Sequence, residues 1–133
     1  MKVLIIDAQG GGIGKQVVAC VKQNFPAMEV TAVGANAVAT VAMLKAGADF
    51  AATGENAVIV GCRNADVIIG PVGIVITDSL HGEITPAMAA AVGQSRAKRI
   101  LIPVNQCGNT IVGVSDYSLT RLMENVVEEL EKL

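Results

Sequence analysis

Short β-branched runs alternate with segments of helical periodicity along the whole chain, and a glycine-rich loop directly follows the first such run. Strands that alternate with helices form a mostly parallel sheet with helices on both faces. The sequence therefore predicts an α/β fold, namely a three-layer Rossmann-like domain. A chain of 133 residues has the length of one domain, which we expect to span residues 1–133.

The first predicted unit is a strand, a glycine loop, a helix and a second strand. Residues 2–6, KVLII, form a short β-branched run typical of a strand buried on both faces. Apolar residues at helical spacing follow over 13–24, and residues 28–33, MEVTAV, predict the second strand. An alanine-rich helix covers 35–45, with Gly47 just past its end as a C-terminal cap.

The middle of the chain is less sharply patterned. Residues 48–52, ADFAA, predict a weak third strand. The segment ENAVIVGCRN, residues 55–64, fits a helix or a strand. We favour a short helix there because DVIIG, residues 66–70, is the better strand candidate.

The second half continues the alternation. The segment ITPAMAAAVGQS, residues 84–95, predicts a helix with Thr85 as N-cap, and KRILIPV, residues 98–104, predicts a buried strand. NTIVGV, residues 109–114, is expected to be a short edge strand. The last segment, residues 118–133, has the spacing of an amphipathic helix.

Composition narrows the class of partner. The chain is 52% hydrophobic and only 17% charged, against about 25% charged in an average soluble protein. The predicted helix within residues 35–44 is apolar nearly all round, so we expect a homodimer or a higher homo-oligomer to cover it. A net charge of -2 with ten dispersed basic residues argues against nucleic acid as a partner.

The sequence also predicts the location of the protein and the state of its cysteines. Apolar runs are too short for a spanning helix or a signal peptide, so we expect a cytoplasmic protein with no membrane partner. Three widely spaced cysteines and one histidine indicate neither disulfides nor a metal site. We expect Cys20 to be buried and inert, and Cys107 to be the thiol most exposed near the site.

The stretch DAQGGGIGK, residues 7–15, has the chemistry of an anion-binding loop. Glycines let successive backbone amides point at one anion, and the positive end of the following helix adds to the attraction. Lys15 would stand close by. The predicted binding residues here are Gly10, Gly11, Gly12, Ile13, Gly14 and Lys15.

The loop does not meet the strict dinucleotide fingerprint GxGxxG. Gly10 and Gly12 match the first two glycines, but Lys15 replaces the third. An acidic residue that would bind the ribose is missing after the second strand, where Asn36 is the one polar candidate. The ligand is left open as a nucleotide or a dinucleotide, with Asn36, Gly70 and Gly73 as further contacts.

A second candidate set lies in the segment TDSLHGE, residues 77–83. His81 has an ordinary pKa near neutrality, which suits acid/base catalysis, and Glu83 or Asp78 is close enough in sequence to orient it. These three residues are the predicted catalytic group if the protein is an enzyme.

Two resemblances bear on function. The core GGIGK resembles the Walker A loop of the nitrogenase iron protein and of chromosome-partitioning ATPases, but Gln9 and Gln16 stand where that motif requires glycine and serine or threonine. Over nearly its full length the chain resembles a bacterial family called domain of unknown function 3842, through QGGGIGK, GANAVAT, MLKAGA, ATGENA, IIGPVGI and GEITPAMA. That family is uncharacterised, so the resemblance implies no catalytic roles.

Three functions from different classes remain open. The first is a protein that binds a nucleotide or another phosphate-bearing small molecule at the glycine loop, residues 10–15. The second is a small-molecule enzyme that uses His81 with Glu83 or Asp78. The third is a structural or regulatory oligomer without a durable ligand.

Overall fold

A computed structural model describes residues 1–104 and 108–133, and within them five strands form one sheet. The strands have four to six residues and are β1 (Lys2–Asp7), β2 (Glu29–Gly34), β3 (Phe50–Thr53), β4 (Val67–Pro71) and β5 (Lys98–Ile102). The helices are α1 (Gly12–Asn24), α2 (Ala37–Lys45), α3 (Glu55–Asn64), α4 (Pro86–Gln94) and α5 (Leu119–Glu131), with a 3-10 turn at Val72–Val75.

The strand order is β3-β2-β1-β4-β5, and every neighbouring pair is parallel. The predicted three-layer Rossmann-like fold is therefore confirmed. The chain runs outward from β1 to β3 and then crosses back to β4, so the direction of winding reverses between β1 and β4. Ligands of open α/β sheets bind beyond the carboxyl ends of the strands at such a switch point. In this chain the switch point lies beside the residues that follow β1 and β4.

Two apolar clusters hold the helices on the sheet, one on each face. Val3 and Ile5 of β1 pack with α1, α2 and α5, whereas Leu4 and Ile6 of the same strand pack with α3 and α4. Alternate side chains of a strand point to opposite faces, so a strand buried on both faces must be apolar throughout. The run KVLII meets that requirement, which explains why β1 occupies the centre of the sheet.

Helix boundaries follow the capping residues. Asn36 caps α2, its Oδ1 accepting the Ala39 amide at 2.9 Å, and Thr85 caps α4, its Oγ1 accepting the Met88 amide at 3.2 Å. Helix α2 thus begins two residues later than predicted. The ambiguous segment 55–64 is a helix, as we favoured.

The predicted edge strand over residues 109–114 is wrong, since the structure has no strand there. Gly113 has a left-handed φ of 87°, which interrupts an extended chain, and Val112 is 90% exposed. Strand β3 begins at Phe50 rather than Ala48, because Asp49 turns inward to accept the Val30 amide at 2.8 Å and the Lys22 ammonium at 2.9 Å.

Several large apolar side chains remain exposed on α2, namely Val38, Val41 and Leu44. The sequence prediction that one sheet face cannot cover this helix agrees with that exposure. Across the part of the chain that the structure describes, none of the helices combines the length and the apolar character needed to cross a membrane.

Close packing of α1 gives a first prediction. A Cβ atom at Gly14 would lie 2.5 Å from the Met43 sulfur and 2.8 Å from the Asp7 Cβ, both shorter than normal contacts. Gly14→Ala should therefore lower the free energy of unfolding by about 1–3 kcal/mol. Urea denaturation measures it. Gly93→Ala in α4 is the control, since its Cβ would meet no atom within 4 Å. A Gly14→Ala variant as stable as the parent would contradict this packing.

Candidate functional site

The turn between β1 and α1 is organised by a buried carboxylate. Asp7 is 5% exposed, and its Oδ1 accepts the Ala8 amide at 2.8 Å while its Oδ2 accepts the Gly14 amide at 2.6 Å. The chain therefore folds its glycine loop around one of its own acidic side chains. Charge-assisted hydrogen bonds of this kind fix the loop before any ligand arrives.

Burial raises the pKa of Asp7 above its ordinary value, and the amide hydrogen bonds from Gly14 and Ala8 oppose that rise. The nearby carboxylate of Glu83 raises the pKa further. Two acidic groups thus lie close to each other beside the glycine loop. Negative charge at this edge of the sheet limits which ligands fit.

Internal hydrogen bonds account for several of the amides that we predicted to hold an anion. The Gly11 amide donates to the Ala8 carbonyl at 3.0 Å, the Gly14 amide to Asp7, and the Lys15 amide to the Gly11 carbonyl at 2.9 Å. Of the predicted amides at residues 11–15, those of Gly11, Gly14 and Lys15 are therefore occupied within the chain. An anion would have to be met by the outer part of the loop.

The glycines of the loop fall into two kinds. Gly11 has a left-handed φ of 72°, and its Cβ would lie 2.8 Å from the Ala39 Cα, so the fold itself requires glycine there. Gly10 and Gly12 are exposed, have no left-handed φ, and would place a Cβ in open space. Neither conformation nor packing explains why these two positions lack a side chain.

Gly70 and Gly73, the other predicted binding glycines, have internal explanations. A Cβ at Gly70 would lie 2.5 Å from the Ile6 carbonyl oxygen, and one at Gly73 would lie 3.0 Å from the Ser79 hydroxyl oxygen. Their presence follows from packing within β4 and in the 3-10 turn after it, and gives no separate support for a ligand.

A segment that we call the strap, residues 77–85, crosses the carboxyl edge of the sheet above the loop. Glu83 Oε2 accepts the Gln9 amide at 2.9 Å, and Glu83 Oε1 accepts the Asn36 side-chain amide at 2.5 Å. The Thr85 hydroxyl donates to Glu55 at 2.5 Å, which ties the far end of the strap to α3. The strap thus joins the loop after β1, the N-cap of α2 and the first residue of α3, which are distant in sequence.

The strap has an unusual backbone. Asp78, Leu80 and His81 have left-handed φ values of 64°, 55° and 57°, and Gly82 has one of 80°. Left-handed conformations of residues other than glycine are uncommon and occur most often where the surrounding structure demands them. Internal hydrogen bonds supply that demand, since the Asp78 amide donates to the Ile84 carbonyl at 2.8 Å.

Asn36 holds two parts of the site together. Its Oδ1 caps α2, and its Nδ2 donates both to the Gln9 carbonyl at 2.9 Å and to Glu83. The side chain is therefore fixed in one orientation. Glu83, which sequence reasoning considered only as a partner of His81, is the acidic residue next to Asn36.

The predicted catalytic group is not assembled as a unit. His81 and Asp78 are exposed, and no hydrogen bond joins either side chain to Glu83 among the residues that the structure describes. Both oxygens of Glu83 face Gln9 and Asn36 instead. The strap does bring His81 to the same edge of the sheet as the glycine loop, because Glu83, two residues later, binds Gln9.

Lys15 is exposed and forms no ion pair within residues 1–104 and 108–133. Its position in the first turn of α1 keeps a positive charge beside Gly12. The glycine loop therefore has one cationic border at Lys15 and one acidic border at Glu83.

Cys20 lies on α1 and Cys62 lies on α3, both outside this loop. Burial raises the pKa of Cys62 to about 11, and it raises that of Cys20 as well, although Cys20 is half-buried rather than buried as we expected. A raised thiol pKa lowers the thiolate fraction, which agrees with an inert Cys20. The prediction for Cys107 concerns a position outside the described residues.

A separate cavity of about 500 Å³ lies between β5 and α5. Its floor is apolar, with Ile100, Ile102, Leu122 and Val126, and Arg121 stands at its border. None of its described lining residues belongs to the glycine loop. It is a second concave surface that a binding experiment must distinguish from the loop.

The raised pKa of Asp7 gives a prediction about stability. The stabilising contribution of a carboxyl whose folded pKa is raised is complete below the unfolded value of about 3.9 and is lost as pH rises through the folded pKa. The stability of the parent minus that of Asp7→Asn should therefore fall as pH rises from about 4 to 7. Urea denaturation at several pH values measures it. The exposed Asp78→Asn serves as control, and a pH-independent difference for Asp7→Asn would contradict the assignment.

Comparisons with known proteins place the chain in a family without assigning a function. No curated protein matches it. Among solved structures, it resembles the dodecameric FMN-dependent Ubix-like decarboxylase from Escherichia coli O157:H7, with 19% identity and a TM-score of 0.45 over 96% of this chain and 75% of that one. A likeness at this level does not carry that protein's cofactor or assembly over to this chain. Residues 2–133 match the model of the family described as Domain of unknown function (DUF3842), and the chain belongs to that family.

Proposed function

We propose that the protein binds a nucleotide, or another phosphate-bearing small molecule, at the glycine loop of residues 10–15. The observation that carries the proposal is the pair Gly10 and Gly12, which are exposed and have neither a conformational nor a packing reason to be glycine. A ligand that approaches the backbone closely is a reason for such a pair. Both glycines lie after β1, at the switch point of the sheet.

Charge at the loop supports a phosphate group on one side of it. Helix α1 begins at Gly12 and runs for 13 residues, so its positive end is directed at the loop. Lys15, which forms no ion pair with the other described residues, adds a full positive charge there. The phosphate of the proposed ligand would lie against Gly12 and Lys15, away from Asp7 and Glu83.

The acidic border of the loop supports a ligand that also has hydroxyl groups. Glu83 is half-buried, and Gln9 and Asn36 each donate one hydrogen bond to it, which leaves lone pairs on both oxygens. A bare anion is repelled by this carboxylate, whereas a sugar hydroxyl can donate to it. In dinucleotide-binding folds an acidic residue after the second strand binds the ribose hydroxyls. We propose that Glu83, brought to Asn36 by the strap, has this role.

The enzyme alternative is the weaker proposal. Among the residues that the structure describes, Glu83 is bound by Gln9 and Asn36 and no hydrogen bond joins it to His81, so the acid/base pair of that alternative is not assembled. A binding role for the loop does not need His81.

The functional unit that we propose is a homo-oligomer, because the exposed apolar side chains of α2 need cover.

The glycine loop can be tested by filling its open space. Gly12→Val should weaken nucleotide binding at least tenfold, about 1.4 kcal/mol, because the new side chain occupies the place of the phosphate. Isothermal titration calorimetry with ADP, GDP, CDP and UDP measures the affinity. Gly93→Val is the matched control, as Gly93 is also exposed and also has no atom within 4 Å of its Cβ position.

His81→Ala separates binding from catalysis in the same assay. It should leave the affinity within about twofold of the parent, since the histidine makes no contact that the proposal uses. Absence of binding by the parent to all four nucleotides would refute nucleotide binding at the loop.

The role of Glu83 predicts a preference among sugars. The parent should bind a ribonucleoside diphosphate about tenfold more tightly than its 2′-deoxy counterpart, because only the former offers the full set of hydroxyl donors. Glu83→Gln should reduce this ratio, and the exposed Glu124→Gln on α5 should not. Tighter binding of both nucleotides to Glu83→Gln would mean that Glu83 obstructs the loop, contrary to the proposed role.

A further inference from the structure

The outer edge of the sheet, at β3, has features of an interface that is left open in a single chain. Within residues 1–104 and 108–133, strand β3 pairs with β2 on one side and with no strand on the other. Free edge strands are commonly protected by lysine, proline or a bulge, because their unpaired backbone groups can pair with another strand. The sequence FAAT of β3 has neither lysine nor proline.

Exposed apolar side chains flank this edge on both faces of the sheet. The Thr40 hydroxyl contacts the Ala52 carbonyl at 3.2 Å and the Thr53 hydroxyl at 2.7 Å, so that side of α2 faces β3. Leu44 follows Thr40 by one helical turn and therefore lies on the same side of α2. Phe50 pairs in register with Thr31. The two neighbours of Thr31 in β2 point toward α1 and α2, so Thr31 and Phe50 point to the opposite face of the sheet.

The edge patch comprises the side chains of Val41, Leu44, Phe50 and Val60, which are 47%, 49%, 59% and 41% exposed. At roughly 100 Å² for each aliphatic and 200 Å² for the aromatic side chain, they offer about 250 Å² of apolar surface. One side of a standard interface of about 800 Å² contains about 450 Å² of apolar area. Together with the backbone of β3, the edge patch is large enough for the centre of a stable dimer.

Charge indicates what covers the patch. Between residues 37 and 53 the charged residues are Lys45 and Asp49, and Asp49 is already paired with Lys22 at 2.9 Å. Lys45 is exposed and outside the ion pairs of the described residues, so an acidic partner finds a single complementary charge on this stretch and a basic partner finds only the already paired Asp49. An uncharged strand edge bordered by apolar side chains is complementary to itself.

We infer that a second copy of this chain binds at the β3 edge, with the two β3 strands antiparallel about a twofold axis perpendicular to the sheet. This axis keeps each face of the sheet on its own side, so the two α2 helices meet on one face and the two Phe50 side chains approach on the other. The result is a continuous sheet through both copies and an isologous interface. The inference does not depend on the proposed ligand.

Multi-angle light scattering of the full chain at micromolar concentration tests the interface. The parent should have the mass of a dimer or of a higher oligomer built from it, and Phe50→Glu should reduce the mass by at least half. Leu44→Glu should do the same from the other face, and it keeps the test decisive if Phe50→Glu does not fold. Val112→Glu is the matched control, since Val112 is an exposed valine remote from β3 in sequence and should leave the mass unchanged.

Amide hydrogen exchange provides the second measurement. Residues 50–53 should exchange more slowly in the parent than in Leu44→Glu, whereas β5, the other edge strand, should not change. A monomeric parent would overturn the inference. An oligomer whose mass survives both Phe50→Glu and Leu44→Glu would overturn it as well.

Discussion

The buried carboxylate of Asp7 determines the shape of the candidate site. Its hydrogen bonds to the Ala8 and Gly14 amides hold the end of β1 against the first turn of α1. Gly14 must be glycine because a Cβ would contact Asp7 and Met43, and Gly11 must be glycine because it approaches α2. A loop held in this way is rigid without a ligand. These contacts do not constrain the outer surface of the loop, where Gly10 and Gly12 lie.

The two borders of the site therefore carry opposite charges. One border has the positive end of α1 and Lys15, and the other has Glu83, held by the Gln9 amide and by Asn36. A ligand that satisfies both borders needs an anionic group and hydrogen-bond donors a short distance apart. A phosphorylated sugar has both, so a nucleotide satisfies both borders and a free inorganic anion satisfies only one. An anionic ligand is compatible with the acidic border if it also has hydroxyl groups that donate to that border.

Local patterns predicted most of the fold because local physics decides it. The apolar run of β1, the caps Thr85 and Asn36, and the glycine after α2 each act within a few residues of their position in the chain. The meeting of Glu83 with Asn36 depends on the crossing of the strap over the sheet, and the two residues are 47 positions apart. No short-range pattern contains that contact. The missing ribose-binding acid after β2 was the signal that could have prompted a search for an acidic residue elsewhere.

The edge strand predicted over 109–114 failed for a related reason. Its β-branched composition suits a strand, but a strand also needs a neighbour, and Gly113 turns the chain away from an extended path. Ile111 and Val114 instead line the cavity beside α5. Composition alone could not decide between pairing with β5 and covering that cavity.

Amide chemical shifts measured by NMR during titration with a ribonucleoside diphosphate such as ADP report where a ligand binds as well as whether it binds. Binding at the glycine loop should produce the largest shift changes at Gly10 and Gly12, with smaller ones at Gln9 and Lys15. Changes confined to Ile100, Leu122 and Val126 would place the ligand in the cavity between β5 and α5 and contradict binding at the loop. An unchanged spectrum at saturating nucleotide would contradict it too.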